Sequence, residues 1–133
     1  MPNLSAFSPR ALAVLRIMAG LLFMEHGTRK FFAFPVPFPM QAPLPTLFMI
    51  AGTIELIGGA LIALGLFTRF AAFIACGEMA AAYFIQHAPK GFWPIGNMGD
   101  AAVLFCFVFL YLAAAGAGAW SVDGARTRNA PIR

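Results

Sequence analysis

The stretch AGTIELIGGALIALGLF, residues 51–67, places one carboxylate, Glu55, inside an apolar run. A charged side chain at the centre of a bilayer costs at least about 2.5–3.5 kcal/mol, so Glu55 needs a partner, a proton or a polar cavity. Gly52 and Gly59 share its helix face, at i−3 and i+4. Small residues let helices approach closely. The stretch therefore predicts a membrane helix whose acid points into the protein.

The composition of the whole chain supports a lipid environment. Of the 133 residues, 61% are hydrophobic and 11% are charged, whereas soluble domains average about 45–50% apolar and 25% charged residues. A soluble chain this short could not bury so much apolar surface. The net charge of +4 is scattered, which argues against nucleic-acid binding. Cys76 and Cys106 form no CxxC pair, so neither a disulfide framework nor a zinc site is predicted.

Four apolar segments predict four membrane helices. Each is close to the roughly 20 residues that cross a bilayer core of about 30 Å, and helices satisfy their own backbone groups in lipid. The prolines of residues 34–45 interrupt the pattern. We expect an all-α, four-helix antiparallel bundle that forms one transmembrane domain, residues 1–133, with a polar cytoplasmic tail at 120–133. The predicted helices are 11–32, 46–67, 70–87 and 98–119.

The basic residues predict the orientation of the chain. Cytoplasmic loops are enriched in lysine and arginine. The larger set of basic residues would lie on the cytoplasmic side, with Arg16 just inside the membrane. The smaller set would lie on the opposite, outer side. This predicts a bacterial inner-membrane protein with both termini in the cytoplasm. The larger set is Arg10, Arg69, Arg126, Arg128 and Arg133, and the smaller is Arg29, Lys30 and Lys90.

Two acids fall near the predicted midplane, Glu55 and Glu78. Small residues flank both, so both are expected to face the interior. We predict a buried polar network of Arg16, Glu55 and Glu78 in which at least one acid bonds to Arg16 or to the other acid. Two interpretations remain open: a structural pair that fixes helix register, and a proton-relay or ligand-binding role, which is the default hypothesis for intramembrane acids.

A second polar cluster is predicted at the outer surface. FMEHGTRKFF resembles FIQHAPKGFW at an offset of about 61 residues, which suggests a duplicated helix hairpin. Imidazole exchanges protons near neutral pH. The predicted catalytic residues are His26, His87, Asp100 and Glu25.

Each member of that cluster also has a plainer interpretation. Glu25 would pair with Arg29 at i+4, and Asp100 would complement the dipole of the fourth helix, with Asn97 as its N-cap. The histidines would then serve to hold the outer loops in place. No ligand pair has a recognised metal spacing, so no metal site is predicted.

Several stretches taken together resemble the DoxX family of small four-helix membrane proteins. They are LRIMAGLLFMEHGTRKFF, AGTIELIGGALIALGLFTRFAA, HAPKGFWPIGNMGDAAVLF and GAGAWSVDG, and the resemblance covers about residues 11–124. Two positions depart from the usual pattern, because Asp100 replaces a glutamate and Arg29 a glutamine. The matching positions are His26, Gly27, Glu55, Gly58, Gly59, Thr68, Arg69, His87, Gly91, Phe92, Asn97, Asp100 and Trp120.

The resemblance implies a quinone-linked oxidoreductase, or the membrane subunit of one, because the family takes its name from a subunit associated with thiosulfate oxidation and other members are linked to redox-stress complexes. Quinone would be the cofactor, with Phe92, Trp93 and Asn97 binding it beside the histidines. Membrane lipids, redox partner proteins and a homo-oligomer are the expected partners. A basic rim of Arg29, Lys30 and Lys90 would attract an anion such as thiosulfate. The alternative is a small transporter, or a chaperone-like or structural assembly protein without catalytic activity.

Overall fold

Every regular element is a helix in the computed structural model, which describes residues 2–129. The all-α prediction is therefore confirmed for this part of the chain. Three helical stretches are long and apolar enough to cross a membrane, Leu4–Phe32, Thr46–Leu64 and Thr68–Lys90. The helices are α1 (Ser8–Phe32), α2 (Thr46–Leu64), α3 (Thr68–Ala82), α4 (Pro94–Asn97), α5 (Asp100–Ala115) and α6 (Val122–Arg128).

Glycines end two helices earlier than the hydropathy pattern predicts. Gly65 adopts a left-handed conformation, with φ of 69°, and its N–H and that of Leu66 bond back to the last turn of α2. The second helix therefore ends at Leu64, three residues before the predicted 67. Gly116, with φ of 84°, similarly stops the shorter apolar helix α5 at Ala115 rather than at 119. Glycine accepts positive φ without a steric cost, so it makes an effective stop.

The end of α3 changes its winding instead of stopping. Residues Tyr83–His87 form a π-helical turn, and Ala88–Lys90 form a 3₁₀ turn. Pro89 has no N–H to donate to the carbonyl four residues earlier, so the α-helical pattern cannot continue there. The N–H of Ala88 bonds to the carbonyl of Tyr83 instead. Such π turns occur frequently at functional sites.

Glycine contacts set the register of α1 against α2. A Cβ atom on Gly20 would lie 2.6 Å from the backbone nitrogen of Ala63, and one on Gly27 would lie 2.7 Å from the carbonyl oxygen of Gly52. Residues later in α1 therefore meet residues earlier in α2. The two backbones touch, and any larger side chain at Gly20 or Gly27 would force them apart.

An aromatic cluster joins α1 to α5, while α3 packs mainly on α5. The rings of Phe23 and Phe109, both fully buried, lie 4.8 Å apart edge to face, and Phe105 stacks on Phe109 at 5.6 Å. Edge-to-face pairs contribute roughly 0.5–1.5 kcal/mol beyond their buried area.

One end of the molecule, which we call the turn end, comprises the α2–α3 turn at Gly65–Phe67 and the segment 116–128. Arg16 is fully buried there. Its guanidinium donates to the carbonyl oxygen of Ala117, to that of Ala119 at 3.0 Å and to that of Trp120 at 2.8 Å.

Within residues 2–129 Arg16 thus bonds to neither Glu55 nor Glu78, so the first of the two predicted pairings is wrong. The register between α1 and α2 explains why, since Glu55 lies level with Gly27 rather than with Arg16. Gly27 is about 11 residues, or roughly 16 Å, further along α1. Arg16 instead lies level with the end of α5, where carbonyl groups lose their helical partners.

Residues 122–128 of the predicted polar tail fold into α6 against the turn end. The carboxylate of Asp123 accepts hydrogen bonds from the N–H groups of Phe67 and Thr68, both at 2.9 Å, and so caps α3. Partial burial raises the pKa of Asp123, but these hydrogen bonds and the nearby Arg126 outweigh it, so the pKa is lowered. Residues 1 and 130–133, which include Arg133 of the orientation argument, lie outside the described part.

Candidate functional site

A cavity of about 530 Å³ occupies the opposite end of the molecule, which we call the cavity end. The cavity lies between the first part of α2 and the later part of α3, away from the turn that joins these helices. Side chains of α1, α2, α3 and α5 line it, together with Phe38 from the proline-rich loop, residues 33–45. The walls combine apolar residues with several polar groups, which is the usual character of a small-molecule site.

A buried ion pair lies in the wall between α1 and α2. The Nζ of Lys30 lies 2.6 Å from a carboxylate oxygen of Glu55, and both side chains are more than nine-tenths buried. Gly52 makes room for the lysine stem, because a Cβ there would lie 3.2 Å from the Cδ of Lys30. Lys30 therefore does not project from the outer rim as predicted. Its long aliphatic chain lets the ammonium reach an acid below the helix end.

Glu78 lies in the facing wall, on α3. It lines the same cavity, and its Oε2 is buried without a hydrogen-bond partner in residues 2–129. Glu55 bonds to Lys30, so the prediction that at least one acid bonds to Arg16 or to the other acid is wrong. The predicted buried network is thus divided between the two ends of the molecule.

The structure brings both histidines to this cavity, His26 from α1 and His87 from the π turn of α3. The Nδ1 of His87 lies 3.0 Å from the carbonyl oxygen of Asn97. A carbonyl only accepts, so Nδ1 carries the proton and Nε2 stays available. The His26 ring meets Phe105 edge to face at 6.0 Å.

The other predicted site residues lie outside the cavity. Glu25 and Asp100 are exposed at the surface. Phe92 and Trp93 are 66% and 72% exposed and contact each other, with ring centroids 5.4 Å apart. None of these four side chains lines the cavity.

Asn97 is buried and holds the loop before α5 together. Its amide nitrogen donates to the Tyr83 hydroxyl at 3.2 Å and to the Gly91 carbonyl at 2.6 Å. Its Oδ1 accepts from the N–H of Gly99 at 2.9 Å, and Gly99, not Asn97, is the N-cap of α5. The structure therefore gives Asn97 no contact with the cavity, and its observed bonds are those of a loop anchor.

The proline-rich loop is fixed to the end of α1. The Nε of Arg29 donates to the carbonyl of Pro37 at 3.1 Å, and its guanidinium lies 5.7 Å from the centre of the Phe38 ring. In the described part of the chain Glu25 and Arg29 form no ion pair. The ion pair that the plainer interpretation expected between Glu25 and Arg29 is thus absent from this part of the chain, and Arg29 contacts the proline-rich loop instead.

Sequence reasoning missed most of the residues that line the cavity, among them Phe38, Gln86 and Phe105, and it missed the inward direction of Lys30. Gly27 and Gly52 together could have indicated that the Lys30 side chain points inward. Once these glycines are placed in contact, Lys30 lies one turn beyond Gly27 and its stem must pass Gly52. Residues 2–129 contain no cluster of three His, Cys, Asp or Glu side chains that could hold a metal ion.

The sequence model of the DoxX family matches residues 11–88, which carry α1, α2, α3 and the π turn. The chain belongs to the DoxX family. An uncharacterized protein of Haemophilus influenzae is 46% identical over 128 residues, which cover 92% of this chain and 96% of that one. An uncharacterized membrane protein of Mycobacterium tuberculosis is 27% identical, covering 96% and 88%. No solved structure matches the chain. This DoxX protein is thus a membrane protein with several candidate spans.

Proposed function

We propose that this DoxX protein binds a quinone headgroup in the cavity and acts as a quinone-linked oxidoreductase or as the membrane subunit of one. The observation that supports this most directly is the meeting of His26 and His87, from different helices, in one apolar-walled cavity. Two proton-exchanging rings beside a flat apolar surface suit a ligand that takes up protons when it is reduced.

The polar groups match the two carbonyl oxygens of a quinone. An imidazole N–H or the amide of Gln86 donates to a carbonyl oxygen, and Phe105 offers a flat contact for the ring. Because Nδ1 of His87 is bonded to the Asn97 carbonyl, Nε2 is the ring atom that can take a proton from water and pass it to the quinone as it is reduced. His87 is accordingly the proton donor in this proposal, and His26 orients the headgroup.

A lipid-soluble ligand needs an entrance from the bilayer. Ile50, Ile74 and Ile85 line the cavity and are 55%, 40% and 48% exposed. These side chains lie on α2, α3 and the π turn, at the edge where the two helices separate. An apolar edge of this kind would admit an isoprenoid tail while the headgroup reaches the polar wall.

The proposed reaction is of the thiosulfate:quinone type. Two thiosulfate anions join through a new S–S bond to give tetrathionate and release two electrons. The quinone takes up these two electrons with two protons and leaves as quinol. Arg29 and Lys90 supply positive charge at the cavity end, which would attract the anion. Partner proteins in a redox complex would deliver the reductant, and a homo-oligomer is compatible with this role.

The proposal includes an arrangement in the membrane. The four apolar helices α1, α2, α3 and α5 would form an antiparallel bundle in the bacterial inner membrane, with the cavity end outside and both termini in the cytoplasm. Single cysteines at positions 40 and 128 in a variant lacking Cys76 and Cys106 should then react with impermeant reagents from opposite sides. Labelling of both positions from the same side would contradict the arrangement.

Binding tests the proposal directly. The protein in lipid nanodiscs is titrated with decylubiquinone, and binding is followed by quenching of tryptophan fluorescence. His26→Ala should weaken binding about tenfold, the value of one lost hydrogen bond of about 1.4 kcal/mol. Glu25→Gln, exposed and outside the cavity, is the matched control. Equal affinity in wild type and His26→Ala, at equal thermal stability, would contradict the assignment.

A second candidate is proton-coupled transport, favoured by the unpaired Glu78 facing the Lys30–Glu55 pair across the cavity. A carboxylate that exchanges protons beside a breakable ion pair is typical of transporter relays. Proteoliposomes that contain a pH-sensitive dye distinguish the two functions. Substrate-driven proton movement without any quinone would favour transport, and quinone binding without such movement would favour the oxidoreductase.

A further inference from the structure

Two cysteines on different helices are in contact. The Sγ of Cys76 on α3 lies 3.7 Å from the Sγ of Cys106 on α5, and both are free thiols. The sequence prediction placed Cys76 nearer the inner face and Cys106 nearer the outer face, with packing as their role. Because α5 ends at Ala115 rather than at 119, Cys106 lies at the same level as Cys76.

The thiol pair lies close to the surface of the helices. Both residues are only partly buried. Next to Cys76, Gly77 leaves the surface open, since a Cβ there would meet nothing within 4 Å. Phe73, one turn before Cys76, and Phe107, next to Cys106, are 66% and 64% exposed. A small apolar reagent dissolved in the bilayer can therefore approach the two sulfur atoms.

We propose that Cys76 and Cys106 form a redox-active dithiol that a lipid-soluble quinone oxidises to a disulfide between α3 and α5. Two S–H bonds break and one S–S bond forms. The two electrons and two protons pass to the quinone, which leaves as quinol. The choice of oxidant rests on the proposed function, whereas the pairing of the cysteines rests on their contact alone.

The disulfide would act on the walls of the cavity. Helix α3 carries Glu78, and α5 carries Ala102 and Phe105, all of which line the cavity. Cys106 lies one turn after Ala102, so a covalent bond there fixes the separation of two cavity walls. The site is thus a modification site adjacent to the ligand cavity rather than part of it.

The test uses the full chain in nanodiscs. Reduced protein is incubated with excess decylubiquinone, denatured in the presence of an alkylating reagent, and analysed by intact mass spectrometry and non-reducing electrophoresis. The expected product is a monomer in which both thiols resist alkylation. Cys76→Ser and Cys106→Ser should each keep their single remaining thiol alkylatable. Thermal unfolding of the variants checks that each one is folded.

Four outcomes separate this inference from the proposed function. Quinone that binds in the titration and forms the disulfide supports both. Quinone that binds but leaves both thiols free overturns the dithiol and spares the proposed function. Quinone that does not bind in the cavity yet forms the disulfide from the lipid phase overturns the proposed function and spares the dithiol. If quinone neither binds in the cavity nor oxidises the thiols, both the proposed function and the dithiol are overturned.

Discussion

The two ends of this DoxX protein treat their buried polar groups differently. At the turn end, the Arg16 guanidinium donates to three carbonyl groups and Asp123 accepts from two backbone N–H groups. At the cavity end, Glu78 has a buried oxygen without a partner, and His26 faces open space. At the turn end the charged groups are bonded within the protein, and single atoms, Arg16 Nε and Thr68 Oγ1, are buried without a partner in residues 2–129. At the cavity end the Glu78 carboxylate and the His26 ring instead face a cavity that a ligand could fill.

This difference distinguishes polar groups that stabilise the fold from polar groups that are available to bind a ligand. Arg69 follows the pattern of the turn end, because its guanidinium donates to the carbonyls of Ala113 and Ala114 where α5 ends. Buried polar groups that lack partners are costly, so they persist where they serve a purpose. The Lys30–Glu55 pair is intermediate, since it is satisfied but lines the cavity. Substitutions at these positions should therefore have graded effects on stability.

Arg16→Met should have the largest effect. The methionine fills part of the space but leaves the carbonyls of Ala117, Ala119 and Trp120 without their shared donor. Each of these three carbonyls loses a hydrogen bond to a charged donor, which contributes about 1.5–3 kcal/mol, so a total loss of about 3–5 kcal/mol is expected even with partial rehydration. Reversible unfolding in mixed micelles of SDS and a mild detergent measures the loss. Arg10→Met, at an exposed position, is the control. A loss below about 1 kcal/mol would show that the turn end does not depend on this arginine.

Glu55→Leu should cost less, about 1.5–3 kcal/mol, the value of a hydrogen bond to a charged group. Lys30 loses its carboxylate but keeps other options, because its Nζ lies 5.2 Å from the Phe38 ring and opens onto the cavity. The double variant Lys30→Met with Glu55→Leu should recover most of the loss, as expected for two groups that act as a pair. The same micelle unfolding assay applies. Additive losses from the two substitutions would contradict the pairing.

Much of the fold could be predicted from the sequence, because it depends on local pattern. Hydropathy located the apolar helices, and glycines at helix spacing placed Glu55 in the interior. The register between helices could not be predicted in the same way. It depends on backbone contacts such as that of Gly20 with Ala63, which involve residues more than 40 positions apart. The register decides whether Arg16 or Lys30 lies opposite Glu55.

The candidate site was only partly predictable for the same reason. The matching depth of His26 and His87 follows from residue counts along two helices, and the structure places both at one cavity. The positions of Phe92 and Trp93 depend on the π turn and the loop before α5, where the direction of the chain changes within a few residues. Counting residues along a helix gives the depth of a side chain but not the direction in which it points. Phe92 and Trp93 were therefore predicted to face the cavity, whereas they lie outside it.

Asp123→Asn should have a smaller effect, about 1 kcal/mol, as for the loss of a helix cap. The amide keeps one acceptor oxygen but loses the charge that two N–H groups share. The pKa of Asp123 is lowered from its ordinary value of 3.8. Its contribution to stability is thus complete above that value and is lost as the pH falls through the lowered pKa.

A pH series of unfolding in micelles checks the Asp123 prediction. The wild type should lose stability relative to Asp123→Asn only below about pH 4, the ordinary range of an aspartate pKa. A difference between the two proteins that stays constant down to the lowest pH would show that the charge of Asp123 has no part in the capping. Thr127→Ala is a suitable control, because that hydroxyl bonds only within α6.

Of the four test substitutions, Glu78→Gln should change stability least, by less than about 0.5 kcal/mol. The glutamine has nearly the same shape, and no hydrogen bond of Glu78 Oε2 within residues 2–129 is lost. If the cavity end serves a ligand, the effect should appear in binding or turnover instead. Decylubiquinone binding and unfolding are therefore measured on the same preparation, with Gln86→Glu as the reverse exchange in the same cavity wall. A large loss of stability from Glu78→Gln would mean that this acid is structural. The contrast between the two ends would then disappear, because both would hold their polar groups for the sake of the fold.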